Sequence, residues 1–303
     1  MSRTPERRPV RHRPVGTDPN RANLPYLYDA FLFGKDAHEI ELETRRHLET
    51  VSEEIGYVFT SEHAAHQRIA RYLAGQVDQL VIAGAVLPGP STTDLHRVVR
   101  RVKPSAAITY VEHDPLAAAV MRAIAEDRSN DIKVVETDPL DPATMWMALD
   151  EDQAIAPNHP IGLLLGGVLS FHMGTRTDVA DVVQAHVARL PTGSFLALTH
   201  LFDPETPEHS AVAVALEDKL QTSALGRGAV ATRDDVEAMI KGTQLLSPGI
   251  VQADAWWPDG PVPQRDAGCL VVAAVSRISP VEDPPGEGSR RSPPDQRVLR
   301  LHR

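Results

Sequence analysis

Leu80-Val81-Ile82-Ala83-Gly84 and, one helical segment later, Ala107-Ile108-Thr109-Tyr110-Val111-Glu112-His113-Asp114-Pro115 decide the fold. Each is a short apolar run ending in a small or acidic residue. Neither run alternates polar with apolar residues, so a strand made from it must be covered on both faces. Asp94 to Arg101 between them reads as a helix, and Pro115 opens another that extends to about Asp127. Ile132-Lys133-Val134-Val135 is a third strand, Ile161-Gly162-Leu163-Leu164-Leu165 a fourth and Ser194-Phe195-Leu196-Ala197-Leu198-Thr199 a fifth, with Thr177 to Leu190 helical before the last. Buried strands separated by helices predict an α/β fold with a mostly parallel, doubly wound sheet. Leu270 to Val275 is expected as a final strand, antiparallel at the C-terminal side, and residues 36 to 74 as a helical cap in one or two pieces.

In such a sheet, ligands sit beyond the carboxyl ends of the strands. Gly84-Ala85-Val86-Leu87-Pro88-Gly89-Pro90 follows the first strand. Gly84 and Gly89 would let backbone approach a ligand closely, although a plain strand-to-helix turn has the same composition. Glu112 ends the second strand, where a carboxylate can accept from two ribose hydroxyls, and His113 stands next to it. Asp114 caps the helix that Pro115 opens. Asp138-Pro139 follows the third strand. Asp138 can accept from an adenine amino group, or simply form an Asp-Pro turn. Gly166-Gly167 follows the fourth strand, with His172 a little further on and His200 after the fifth strand. Either histidine could act as a general base, but a lone histidine more often packs or faces solvent. The sequence assigns no catalytic residue.

The whole chain has 303 residues and a formal net charge of −10. That balance argues against nucleic acid as a partner, because neutralising phosphates takes clustered Lys and Arg. The basic arm of residues 1–20 and the Pro-rich stretch of 279–303 lack periodicity and are expected to be disordered, leaving one domain over 21–278. The single cysteine, Cys269, excludes an internal disulfide and argues against a Cys-based zinc site, so it is expected as a buried strand residue and no metal is expected. No apolar run approaches the roughly 20 residues that span a bilayer, and the N-terminus lacks a secretory h-region. A cytoplasmic location is therefore expected, without a membrane partner.

Several motifs carry a resemblance. Tyr28-Asp29-Ala30-Phe31-Leu32-Phe33-Gly34-Lys35-Asp36, Arg71-Tyr72-Leu73, Tyr110-Val111-Glu112-His113-Asp114-Pro115, Val135-Glu136-Thr137-Asp138, Thr199-His200 and Trp257-Pro258-Asp259-Gly260-Pro261 occur in this order. In this, the chain resembles the actinobacterial S-adenosyl-methionine-dependent methyltransferase family once catalogued as a domain of unknown function, over about Pro19 to Ala274. The opening stretch is similar to that family's YDYLLGGKD signature. The resemblance implies a class I Rossmann-like methyltransferase fold, S-adenosyl-L-methionine as cofactor and a small-molecule acceptor. It implies Glu112 at the ribose, Asp138 at the adenine, Gly84, His113 and Pro139 in the same cofactor loops, and a covering segment that includes Lys35 and Asp36.

The chain departs from the family pattern where the amino-acid end of the cofactor would bind. Against an approximate DIGTGLPT, it has Ile82 for the acidic residue and Val86 for the second glycine. Phe33 replaces a glycine, Ala37 and Glu62 replace asparagines, His63 an arginine and Ser170 a histidine. Two or three lost polar contacts of about 1.5–3 kcal/mol each would weaken cofactor binding by roughly a thousandfold unless other residues compensate. The expected activity is methyl transfer. The alternative is a catalytically degenerate methyltransferase-like protein with a binding or regulatory role.

Overall fold

The computed structural model describes residues 20–84, 87, 94–125 and 132–279. Most of both expected disordered tails, the Val86 and Gly89 positions and the end of the helix near Asp127 lie outside these residues. Among them, the strands are β1 (Gln79–Gly84), β2 (Ala107–Glu112), β3 (Ile132–Glu136), β4 (Ile161–Gly166), β5 (Phe195–Leu201), β6 (Gln244–Leu245), β7 (Val251–Gln252) and β8 (Val271–Arg277). They form one sheet in the order β3-β2-β1-β4-β5-β8-β6, with β7 also paired to β8. β1 to β5 are parallel. β8 enters antiparallel beside β5, as the sequence predicts. Strand order reverses between β1 and β4, so the switch point of the sheet lies there.

The absence of alternation in the strands is explained by cover on both faces. Leu80, Ile82, Tyr110 and Leu164 belong to one core, shared with α1 (Leu24–Phe31), α3 (Gly56–Ala74), α4 (Leu95–Val102) and α5 (Pro115–Ala125). Val81, Ala83, Val111, Leu163 and Leu165 belong to the other, shared with α6 (Pro142–Glu151), α7 (Arg176–Val187) and α9 (Arg233–Met239). Neighbouring residues of one strand thus enter opposite cores, as the pleat requires.

Residues 36–74 form two helices, within the one or two pieces expected, and a further helix precedes them. The cap consists of α1, α2 (Glu39–Leu48) and α3, with residues 49–55 forming a turn. α8 (Pro207–Thr222) adds a helix beyond β5. Side chains fix where several helices start: Thr175 and Asp178 cap α7 reciprocally, as do Thr232 and Asp235 for α9. Cys269 is buried, but in a 3₁₀ turn over Asp266–Leu270 rather than in β8, and its thiol donates to the Asp266 carbonyl at 2.9 Å. The expectation failed because the apolar run starts two residues before the extended backbone does. Among the described residues no helix is long and apolar enough to cross a membrane, and no group of three or more His, Cys, Asp or Glu side chains is placed to hold a metal ion.

Candidate functional site

The parallel register brings the loop residues to one edge. Ala83 of β1 pairs with Val111 of β2, and Glu112 pairs with Glu136 of β3. Gly84, Glu112 and, two residues after β3, Asp138 therefore stand at the same carboxyl edge. Gly84 also pairs with Gly166. A Cβ on Gly84 would come 3.2 Å from the Gly166 carbonyl oxygen, so the backbones are close here because both residues lack side chains.

Glu112 is buried, 4% exposed, although it is charged and ends a strand. Its Oε1 accepts from the Asp114 N–H at 2.8 Å. His113, more exposed, places Nδ1 3.2 Å from the same oxygen, and this carboxylate raises the His113 pKa against the opposing effect of burial. Asp114 accepts from the Ala117 N–H at 2.8 Å and caps α5, so the capping role and the ribose role fall on different residues. Asp138 is exposed, and its Oδ1 accepts from the Leu140 N–H at 2.8 Å in the turn that the sequence also allowed. The Pro139 carbonyl accepts from His186 Nε2 at 2.9 Å, which ties this loop to α7. Arg227, on the segment between α8 and α9, was not foreseen. Burial depresses its pKa, while the charges of Asp138 and Glu112 pull it back up, which sets a cation beside the two acidic residues.

The Tyr28–Asp36 signature is a folded turn at the end of α1. The Asp29 carboxylate accepts from the Asp36 and Ala37 N–H groups at 2.8 and 2.9 Å. Lys35 is exposed. Tyr28 and Phe31 of the signature point inward, and the Tyr28 hydroxyl donates to Glu62 Oε2.

Glu62 belongs to a buried polar cluster that sequence reasoning did not assemble. α3 lies along β4: Leu73 packs on Gly162, His66 on Gly166, and Glu62 with Tyr28 on Gly167. Gly167 has φ +74°, a conformation that any side chain would strain. His66 Nε2 lies 2.8 Å from Thr199 Oγ1, which accepts from the Gly167 N–H at 2.9 Å. Glu62 is 0% exposed and its Oε1 has no hydrogen-bond partner. Burial raises the Glu62 pKa; the hydroxyls of Tyr28 and Thr199 pull the other way. Burial holds His66 neutral, with its pKa near 3, and His63 near 4. A signal for the cluster existed. Glu62 and His66 fall on the stripe Val58, Phe59, Ala65, Ile69, Leu73 that α3 buries at helical spacing.

Neither candidate base joins this edge cluster. His200 follows Thr199 on β5 and so faces the other side of the sheet. There it lines a cavity of about 200 Å³ with His172, Arg176 and Asp235. Its Nδ1 lies 2.6 Å from the Leu201 carbonyl, and burial lowers its pKa to about 4. His172 Nδ1 accepts from the Gly174 N–H at 2.9 Å. The Trp257–Pro261 segment is a strap on α3. Arg68 donates to the Trp256 and Ala253 carbonyls at 2.9 and 2.7 Å, and Arg71 pairs with Asp259.

The family model described as "S-adenosyl methyltransferase" matches residues 11–279. A crystal structure of a "putative methyltransferase" from Thermobifida fusca YX superposes with a TM-score of 0.78 at 27% identity, covering 88% of this chain and 98% of that one. A DUF574 family protein from Streptomyces avermitilis has the same fold, with a TM-score of 0.76 at 22% identity over 85% of this chain and 97% of its own. No curated protein matches.

Proposed function

The chain belongs to the S-adenosyl methyltransferase family, and we propose that it binds S-adenosyl-L-methionine at the carboxyl edge of β1, β2 and β3 and transfers the methyl group to a small-molecule acceptor. The observation that carries this reading is Glu112, a carboxylate buried at the end of β2 beside the glycine pair Gly84 and Gly166. A buried carboxylate needs polar partners. Glu112 accepts from the Asp114 N–H and neighbours the His113 ring and the Arg227 cation, and its carboxylate fits a diol. Asp138 and Pro139 extend the same edge, where an adenine would lie, and His113 neighbours the ribose position.

The cofactor supplies a methyl group already activated as a sulfonium. The protein's part is therefore alignment and exclusion of water. Glu112 orients the ribose, and Gly84 and Gly166 leave room for close approach. The turn that carries Lys35 and Asp36 is taken as the covering segment, as the family resemblance implies. No residue is assigned as catalytic base. The acidic net charge of −10 supports a small-molecule acceptor over nucleic acid, and a cytoplasmic location accords with this reading. We take residues 21–278 as the functional domain. No geometry among the described residues favours the alternative of a binding-only, degenerate protein.

Isothermal titration of S-adenosyl-homocysteine into the full chain tests the reading. Binding is expected, and Glu112→Ala should weaken it by roughly tenfold or more, the cost of a lost charged acceptor. An affinity unchanged by Glu112→Ala would remove the ribose assignment.

A further inference from the structure

The amino-acid end of such a cofactor carries an ammonium group. Next to Gly84, the strand that should present an acid offers Ile82, which is 2% exposed and packed in the core. Ile82 lies two residues before Gly84, and its side chain enters the core that α3 covers. On that same face, α3 brings a different carboxylate to the edge. Glu62 packs against Gly167, directly after the Gly166 that pairs with Gly84.

We propose that Glu62 is the anionic anchor for the ammonium group at the amino-acid end of the cofactor, taking over from helix α3 the role that Ile82 cannot perform from strand β1. The inference rests on the cofactor reading above and goes beyond it. Three observations carry it. Glu62 is fully buried, yet its Oε1 receives no hydrogen bond of ordinary geometry, only the influence of the nearby Thr199 hydroxyl, and a buried acceptor left unpaired costs about 1–3 kcal/mol. The other oxygen is held by Tyr28, so the carboxylate is fixed and only one face remains for a ligand. Gly167 lets both groups pack directly against the edge backbone, since a Cβ there would meet the Tyr28 hydroxyl at 2.6 Å and Glu62 Oε1 at 3.2 Å. The neighbouring titratable groups are His63 and His66 of the same helix and Tyr28 of α1. Burial holds all three uncharged, so Glu62 has no competing cation in the cluster.

The experiment titrates three ligands into the full-length chain: S-adenosyl-homocysteine, its deaminated analogue and 5′-methylthioadenosine, which lacks the amino-acid end. In the wild type, removing the amino group should weaken binding about tenfold or more. Glu62→Gln should abolish that difference while leaving 5′-methylthioadenosine affinity within about twofold. Because Glu62→Gln keeps the shape and an acceptor for Tyr28, it should fold, which its melting curve checks. Ile82→Asp added to Glu62→Gln returns a carboxylate to the same face and should restore preference for the aminated ligand. Equal weakening of all three ligands by Glu62→Gln would overturn the proposal, because Glu62 would then act on the fold alone. An unchanged preference for the amino group would overturn it as well. If neither S-adenosyl-homocysteine nor 5′-methylthioadenosine binds the wild type, the cofactor reading itself falls, and this inference with it.

Discussion

Lowering the pH from 7.5 to 5.5 should destabilise this protein through its buried neutral histidines. His66, His186 and His200 are 1%, 0% and 2% exposed. Burial depresses their pKa values to about 3, about 4 and about 4. His186 shows why protonation is resisted: its Nδ1 accepts from Trp146 Nε1–H at 3.1 Å and its Nε2 sits 2.9 Å from the Pro139 carbonyl. Only the neutral ring with the proton on Nε2 satisfies both contacts. The unfolded chain takes up a proton at each ring near pH 6.5, which the folded state refuses. Groups with a depressed folded pKa contribute stability above the unfolded value and lose it as the pH falls toward the folded one. At pH 5.5 each ring costs about 1 kcal/mol or slightly more, together about 3–4 kcal/mol relative to pH 7.5. That is a large part of a typical stability of roughly 5–15 kcal/mol.

Other groups adjust this figure without reversing it. His63, with its pKa lowered to about 4, acts in the same direction. Glu62 acts oppositely: its raised pKa favours the folded state at low pH and penalises it as the pH rises above the ordinary carboxylate value. His113, whose pKa Glu112 raises, acts in the same direction as Glu62, and the two together offset at most two protons. The carboxylates with lowered pKa, Glu54, Asp78, Asp141 and Asp178, titrate below this window. Urea unfolding followed by circular dichroism at several pH values measures the slope directly. Uptake of about two to three protons on unfolding is expected, and Glu62→Gln should steepen the loss. Stability that is flat or rising toward pH 5.5 would refute the neutral-histidine assignment.

Gly167→Ala should lower stability by about 2–4 kcal/mol, combining the left-handed backbone cost with displacement of Tyr28 from Glu62; thermal melting checks it, and a change of under about 0.5 kcal/mol would show that the loop relaxes freely. A chain covering residues 19–279 should keep the melting temperature of the full chain, because Pro-rich aperiodic tails bury too little apolar surface to offset their ordering entropy. A fall of many degrees would mean that a tail packs on the core.

The parallel sheet was legible because its strands carry no polar alternation, and the edge loops because each of the first four strands stops at a glycine or an acid. α1 and α8 were not. α1 starts at Leu24, on the border of the basic arm, and seven of its eight residues are buried, which leaves no polar face to reveal a period. α8 has exposed apolar residues such as Val214 that blur its stripe. β6 and β7 are two residues each, too short for any periodicity. At the site, Glu112 was legible from position alone. Glu62 was visible only as a departure at a single position, because its meaning depends on Gly167, which lies 105 residues away in the chain (167 − 62).

That separation explains how a site can look eroded in one segment and be complete in space. A cofactor loop is read along the chain, so a carboxylate missing at Ile82 registers as a loss. The ligand samples an edge to which β1, β4, β5 and α3 all contribute. On that edge, α3 is held rigidly: Arg68 binds the Ala253 and Trp256 carbonyls just before the strap, and Tyr72 packs edge-on against Trp256 and Trp257. A carboxylate on a helix fixed in this way is placed as precisely as one on a strand. The strap, Tyr28 and Gly167 are therefore parts of one device. The first fixes the helix, the second holds one oxygen of Glu62, and the third, lacking a side chain, lets the carboxylate pack against the edge. Loss of any of the three should lower affinity for the amino-acid end of the cofactor before it affects the ribose end at Glu112.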